Sequence, residues 1–461
     1  METVKVGVSF STDDSLVQAL FNSAEEKSKQ NLQDFCGRKV LVEGGGYQKI
    51  WLETQPMGGE MYAKRDIETA LNNSLLFMET QREDGRLPGS ITVEDGKILP
   101  QFNKFQGFCF PAPALNLYYW SGAGREYLEQ LYQTLERFDA YLWKIRDSNN
   151  DGCLEAWCTY DIGEDNATRF EDAPHWWEDD APPEGYSVVP IQSMDVTSFS
   201  FTARDTLAKI SVLLKNGRAD EWHKKAQSIG EIIKTKFWSE ERGACFDRNK
   251  LGNVMPALIH NTLRCMYWGS VSQDMADRFV NEHLLNPEEF WTPMPMPSVA
   301  ANDSFFRNNS GNDWSGQPQG LTYQRAIRAL NSYGYQKLLP LLADKLFAAI
   351  GSDCRFTQQF DTFTGKPSSD KDGYGPTMLS VLDYIASLHG IQLEGREIWW
   401  GALGGKQTDY TQQWGERSYR VCSDGTKAEG FCLGKKVFEV DCGVRVVTDY
   451  EGNLLNTISL K

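Results

Sequence analysis

No run of uncharged apolar residues approaches the ~18 that a membrane helix needs. The start, METVKVGVSFSTDD, lacks a basic segment followed by an apolar one. Neither a membrane span nor a secretory leader is therefore expected, and a cytoplasmic location is. Histidine is scarce, with five in 461 residues (175, 223, 260, 283 and 389), none at metal-ligand spacing. Cysteine is present ten times but never as Cys-x-x-Cys, so the ten read as reduced thiols and not as a disulfide frame or a zinc site. No metal or cofactor is expected. Positive charge is also short: the net charge is −16, which argues against a nucleic-acid or acidic-membrane partner. No short fixed repeat occurs, which argues against a solenoid. Nothing in the sequence sets the oligomeric state.

What is present is an ordinary globular composition, 41% hydrophobic and 24% charged, long enough to bury a large core without cross-links. Aromatics make 12%; they fill cores, and they also stack on the C–H faces of sugar rings. Helical periodicity marks Asp13–Gln30, Asp66–Glu79, Pro113–Trp120, Glu126–Ile145, Val196–Leu214, Glu221–Trp238, Pro256–Tyr267, Gln273–Leu285, Leu321–Leu330, Tyr335–Ala349 and Pro376–Leu388. A short strand is expected at Lys39–Glu43 before the Gly44–Gly46 turn. The helices come in pairs, joined by long loops rich in Gly, Pro and Trp. This predicts a mainly α fold, a barrel of six helical hairpins with a pocket formed by loops at one end. After Gly395 the pattern alternates and is broken by Asp-Gly and Gly-Asn turns. The expected division is a barrel over 1–394 and a small C-terminal β appendage over 395–461, packed on the helices.

Five loops hold residue types suited to sugar chemistry. GEDNATRF (163–170) brings Glu164, Asp165 and Arg169 together, near Asp161, although short acids in loops also cap helices. The loop EDAPHWWEDDAPPEGY (171–186) sets Trp176 and Trp177 among polar residues. ETQPMGGEMYAKRD (53–66) offers Glu60, Arg65 and Asp66, with Asp66 equally suited to capping a helix. GNDWSGQPQG (311–320) offers Trp314 and Gln317, and QQFDTFTG (358–365) precedes the helix that opens with Tyr374. Asp147-x-Asn149-x-Asp151-Gly152 has the first half of a calcium loop, but its twelfth position is Cys158, so a turn rich in Asx residues is the better reading.

In this order the segments resemble the clan of inverting glycosidases built on an (α/α)6 barrel, near glycoside hydrolase family 63 (processing α-glucosidase and mannosylglycerate hydrolase) and the trehalases of family 37. The resemblance covers roughly 53–390. GEDNATRF is similar to a Gly-x-Asp-Asn-Ser-Pro-Arg-Trp pattern, which implies Asp165 as general acid and Arg169 as a substrate-side arginine. SMDVTSFSFTARD resembles an Asp-Leu-Asn helix and implies Asp195 near the site. MYAKRD resembles a Trp-Asp segment and implies sugar binding by Asp66. FQGFCFPAP resembles a Gln-Pro-Pro segment. DWSGQPQG resembles a Trp-Arg-Gly-Pro-Ile-Trp loop and implies Trp314 and Gln317. The resemblance points to the clan and not to the substrate; the function expected is an exo-acting inverting hydrolase of a small α-linked oligosaccharide or glycoside, an α-glucoside favoured.

One position departs from the pattern. Where the family places its general base, a glutamate, this chain has Gln358. Inverting hydrolysis needs a protonated carboxyl at the leaving oxygen and a carboxylate opposite, roughly 6.5–9.5 Å away with water between. An amide cannot take the proton. Four accounts remain open: another carboxylate serves, with Asp361 and Glu60 as candidates; the amide has been substituted for a natural glutamate; phosphate is the nucleophile and the chain is a phosphorylase; or the chain binds sugar without cleaving it.

Overall fold

The structure is a computed structural model that describes residues 4–459. Twelve α-helices occur among them: α1 (Ser15–Lys29), α2 (Gln55–Tyr62), α3 (Ile67–Glu79), α4 (Pro111–Ser121), α5 (Arg125–Ile145), α6 (Met194–Leu214), α7 (Ala219–Ile232), α8 (Asn261–Trp268), α9 (Gln273–Phe279), α10 (Gly320–Ser332), α11 (Leu338–Ile350) and α12 (Gly375–His389). The even-numbered helices pack in sequence, α2 on α4 and so on to α12, and α12 closes back onto α2. The odd-numbered helices lie outside this ring; α1 packs on α12, α3 on α2, and α5 and α7 on α6. Outer helices such as α5 bury one stripe, Leu128, Leu131, Leu135, Phe138 and Leu142, at helical spacing. Inner helices are buried nearly all round: every residue of α12 is buried.

The helix that periodicity misses is α2. Its sequence, QPMGGEMY, contains a proline and two glycines, residues that disfavour helix interiors. Tertiary packing overrides that preference. A Cβ at Gly58 would stand 3.1 Å from Leu379 Cδ1 of α12, and one at Gly59 would stand 3.2 Å from Asn73 Cβ of α3. The missing side chains let both neighbours approach.

Residues 391–459 form antiparallel sheets. One has four strands, Ile391–Glu394, Glu397–Ala402, Val444–Thr448 and Leu454–Ser459. The other has five, and its outermost strand comes from the opposite end of the chain. Val6–Thr12 pairs with Gln407–Trp414, with Phe10 opposite Tyr410. The sequence reading leaves residues 6–12 with the helices; the alternation in VGVSFST instead serves a sheet edge. Trp414 fastens this sheet to the barrel by stacking on Trp120 of α4, centroids 4.7 Å apart, and by donating its indole N–H to the Trp120 carbonyl at 2.6 Å. No helix among the described residues is long and apolar enough to cross a membrane.

Candidate active site

The segments that lead into the N-terminal ends of the ring helices enclose a cavity of ≈ 220 Å³. Glu43, Tyr47, Trp51 and Glu53 come from the approach to α2, Lys104 and Gln106 from that to α4, and Tyr160 and Asp165 from that to α6. Asn312 and Trp314 precede α10, and Gln358 and Tyr374 precede α12. In a six-helix ring α6 stands opposite α12, so Asp165 and Gln358 enter from opposite sides.

Asp165 lies at a tight turn, followed by Asn166 in the left-handed region at φ 61°. Its carbonyl accepts the Trp314 N–H at 3.0 Å. Its Oδ2 accepts from Asn312 Nδ2 at 2.7 Å, and its Oδ1 has only Gln106 Nε2 at 3.4 Å. Burial raises its pKa, opposed by the hydrogen bonds from Asn312 and Gln106. That direction suits a general acid.

Two glutamates share the cavity. Glu53 pairs with Arg325 and lies 3.5 Å from Arg264; burial still raises its pKa, to about 7. Backbone fits closely around it. Gly107 and Gly163 both have positive φ, and a Cβ on either would collide with the Glu53 carboxylate. Among the described residues Glu43 has no cationic partner. It accepts the Tyr374 hydroxyl at 2.9 Å, and burial raises its pKa to about 8. Gln358 lies close by: its Oε1 accepts from Tyr47 Oη at 3.1 Å, and its Nε2 donates to Asn312 Oδ1 at 2.6 Å. The Tyr47 and Tyr374 rings, 6.4 Å apart, tie the Glu43 and Gln358 walls together.

Asp165, Gln358, Trp314 and Tyr374 are thus brought together, while the other sequence candidates lie elsewhere. Asp66 caps α3, accepting the Thr69 N–H at 3.0 Å and pairing with Lys39 at 2.6 Å. Arg65 is buried against Glu25 at 2.5 Å. Glu60 pairs with Arg328 at 2.5 Å in a separate cavity at the other end of the ring. Arg169 holds Glu164 at 2.5 Å and Asp247, and it lies 3.8 Å from Asp195. Arg264 adds to this lattice by donating to Glu164 at 2.6 Å. Burial would raise the Glu164 pKa, but Arg169 and Arg264 hold it well below the usual carboxylate range and offset its charge, and the rise at Asp165 comes from burial. Arg169 and Asp195 therefore support the loops from beneath. Trp176 is 55% exposed, Trp177 donates its indole N–H to Ala181 O at 2.7 Å, and neither lines the cavity. Gln317 is buried under Ser368. Asp361 caps its own turn, accepting N–H groups from Phe363 and Thr364 at 3.1 and 2.8 Å, outside the cavity. Asp147, Asn149 and Asp151 form an Asx turn.

Sequence reasoning missed Glu43, Tyr47, Trp51, Glu53, Lys104, Tyr160 and Asn312. Two signals were there: Trp51-x-Glu53 fits a tryptophan-acid segment better than MYAKRD does, and three consecutive glycines, 44–46, follow Glu43.

Residues 51–375 match the family model of the mannosylglycerate hydrolase MGH1-like glycoside hydrolase domain. The chain is an MGH1-like glycoside hydrolase. Among solved structures, glycoside hydrolase family 63 mannosylglycerate hydrolase from Thermus thermophilus, in complex with glucose, is 16% identical with a TM-score of 0.64. That comparison covers 79% of this chain and 99% of the other. Neutral trehalase from Saccharomyces cerevisiae is 13% identical at TM-score 0.60, covering 76% of this chain and 74% of the other. An α-L-rhamnosidase from Dictyoglumus thermophilum is 14% identical at TM-score 0.60, covering 94% of this chain and 45% of the other. At these identities the structural likenesses speak to the fold. No curated protein sequence matches the chain. The matched family region starts at Trp51, so it includes Glu53 and Asp165 but leaves Glu43 outside.

Proposed function

We propose that this MGH1-like hydrolase is exo-acting and inverting, and that it cleaves a small α-linked glycoside, an α-glucoside favoured. Asp165 protonates the leaving oxygen, and Glu43 takes the proton of the attacking water in place of Gln358. The observation that carries this reading is a further carboxyl, Glu43, on the wall of the cavity that Asp165 lines, linked through the Tyr374 and Tyr47 rings to the amide at the family's base position. Burial raises the Glu43 pKa to about 8, so its ionised form is a stronger base than a free carboxylate. The cavity, ≈ 220 Å³, lies below the roughly 300–1,000 Å³ of drug-sized pockets and fits one terminal sugar ring. Catalysis belongs to the barrel within residues 1–394, with 395–461 packed on it, and we place the protein in the cytoplasm.

The anomeric configuration of the first-formed sugar tests this reading by proton NMR. α-Glycosides are expected to release the β-anomer first, in buffers with and without phosphate. Release of the α-anomer, a requirement for phosphate with sugar 1-phosphate as product, or binding without turnover would each overturn it.

Among the described residues Lys104 is the one lysine on the cavity wall, and burial lowers its pKa. A cation there suits an aglycone with negative charge, such as the D-glycerate bound in a Thermus thermophilus mannosylglycerate hydrolase structure. Lys104→Met is expected to raise KM for an acidic aglycone by about tenfold, the weight of one charge-assisted hydrogen bond, with little change for a neutral one. Equal effects on both aglycones would remove this role.

A further inference from the structure

We propose that Asn312 is a positioning residue for Asp165: it fixes carboxyl oxygen Oδ2 as an acceptor, so that the proton to be transferred sits on Oδ1. The inference deepens the hydrolase reading above and rests on it for the proton's use, but not for the contact itself.

The orientation of the Asn312 amide follows from its neighbours. Its Oδ1 faces Trp314 Nε1 at 3.1 Å and Gln358 Nε2 at 2.6 Å. An indole N–H can only donate, so Oδ1 must be the acceptor there. The amide nitrogen is then turned toward Asp165, where Nδ2 donates to Oδ2 at 2.7 Å. The tyrosine beyond Gln358 imposes no direction of its own, because a phenol both donates and accepts. Trp314 therefore sets Asn312, and Asn312 in turn sets both Gln358 and Asp165.

The backbone holds the amide in place. Asn312 sits at φ 63°, a left-handed conformation that asparagine tolerates better than most residues. Its N–H donates to Gln359 Oε1 at 2.5 Å, and its carbonyl accepts from Asn166 Nδ2 at 3.0 Å. Asn166 directly follows Asp165, so the two loops are latched at both side chain and main chain. With Oδ2 occupied by a donor, a neutral Asp165 keeps its hydrogen on Oδ1, whose one partner among the described residues is the 3.4 Å contact with Gln106. That oxygen is free to turn its proton to a leaving group.

The test uses the full-length protein. The Asp165 carboxyl is followed by carbon-13 NMR with labelled aspartate, and Asp165→Asn identifies the signal. Asn312→Ala is expected to raise the proton affinity of Asp165 by about tenfold, because a donor to the ionised form is lost. Asn312→Ser, which keeps a shorter donor, is expected to give a smaller rise. An unmoved titration in both variants, with native spectra elsewhere, overturns the proposal whether or not the chain proves to be a hydrolase. The kinetic arm compares leaving groups. Asn312→Ala is expected to lower kcat by about tenfold on an alkyl glycoside with KM little changed, and to leave a glycosyl fluoride, which needs no acid, nearly unaffected. Equal losses on both substrates would make the role purely structural.

Discussion

Replacing Asp165 with asparagine is expected to cut kcat on an alkyl α-glycoside by roughly 10²- to 10⁴-fold, the usual weight of a positioned general acid. The fold should stay intact. Asparagine keeps an oxygen to receive Asn312 Nδ2, and the backbone bond from Trp314 to the carbonyl of residue 165 does not involve the side chain. The loss should depend on the leaving group. A glycosyl fluoride departs without protonation, so the variant should retain most of its wild-type rate there. Measuring kcat on both substrates, with a thermal melt of each protein, separates lost acid catalysis from lost structure. Retained turnover on the alkyl glycoside would remove Asp165 from the mechanism.

The features legible in the sequence share a physical cause. Helix α5 shows itself because its buried stripe alternates with a charged face. The Asp165 loop shows itself because acids, a glycine and an arginine crowd into eight residues. What stayed hidden depends on long-range packing. Helix α2 forms against its own glycines and proline because α3 and α12 close on it. Arg169 and Asp195 look like substrate ligands because a buried ion lattice uses the same residue types as a sugar site. Only the contacts between Arg169 and Glu164, and between Arg264 and Glu164, separate the two uses. Such lattices are sensitive to losing one member, by roughly 3–5 kcal/mol, so substitutions there would mimic catalytic loss by unfolding the loops. Glu43 is hidden for the opposite reason. The three glycines after it hint at a close approach without naming what approaches, and its hydrogen-bond partner, Tyr374, lies at the far end of the barrel sequence.

The identity of the base separates a working hydrolase from a disabled one. Glu43→Gln is expected to lower kcat by roughly 10²- to 10⁴-fold and to remove one limb of the pH profile. The sign follows from the two charges. In the mechanism proposed above the productive form has Asp165 protonated and Glu43 ionised, so the rate is expected to fall toward acid as Glu43 takes up its proton and toward alkali as Asp165 loses its own. Burial, with Glu53 and Asp165 nearby, pushes the Glu43 pKa up to about 8, and the two limbs belong to the interacting pair. Azide should restore turnover in Glu43→Gln and yield the glycosyl azide of inverted configuration, because an anionic nucleophile needs no base. Gln358→Glu, which restores the family's residue, is expected not to help. A carboxylate there would face Asn312 Oδ1, acceptor against acceptor, and Asn312 cannot turn over without losing Trp314 Nε1 and Asp165 Oδ2. The mismatch is worth roughly 1–3 kcal/mol, enough to displace Asn312 and lower the rate further. A strong gain in turnover from Gln358→Glu, with Glu43→Gln unimpaired, would return the base to position 358 and make the wild-type chain an amide-blocked member of its family.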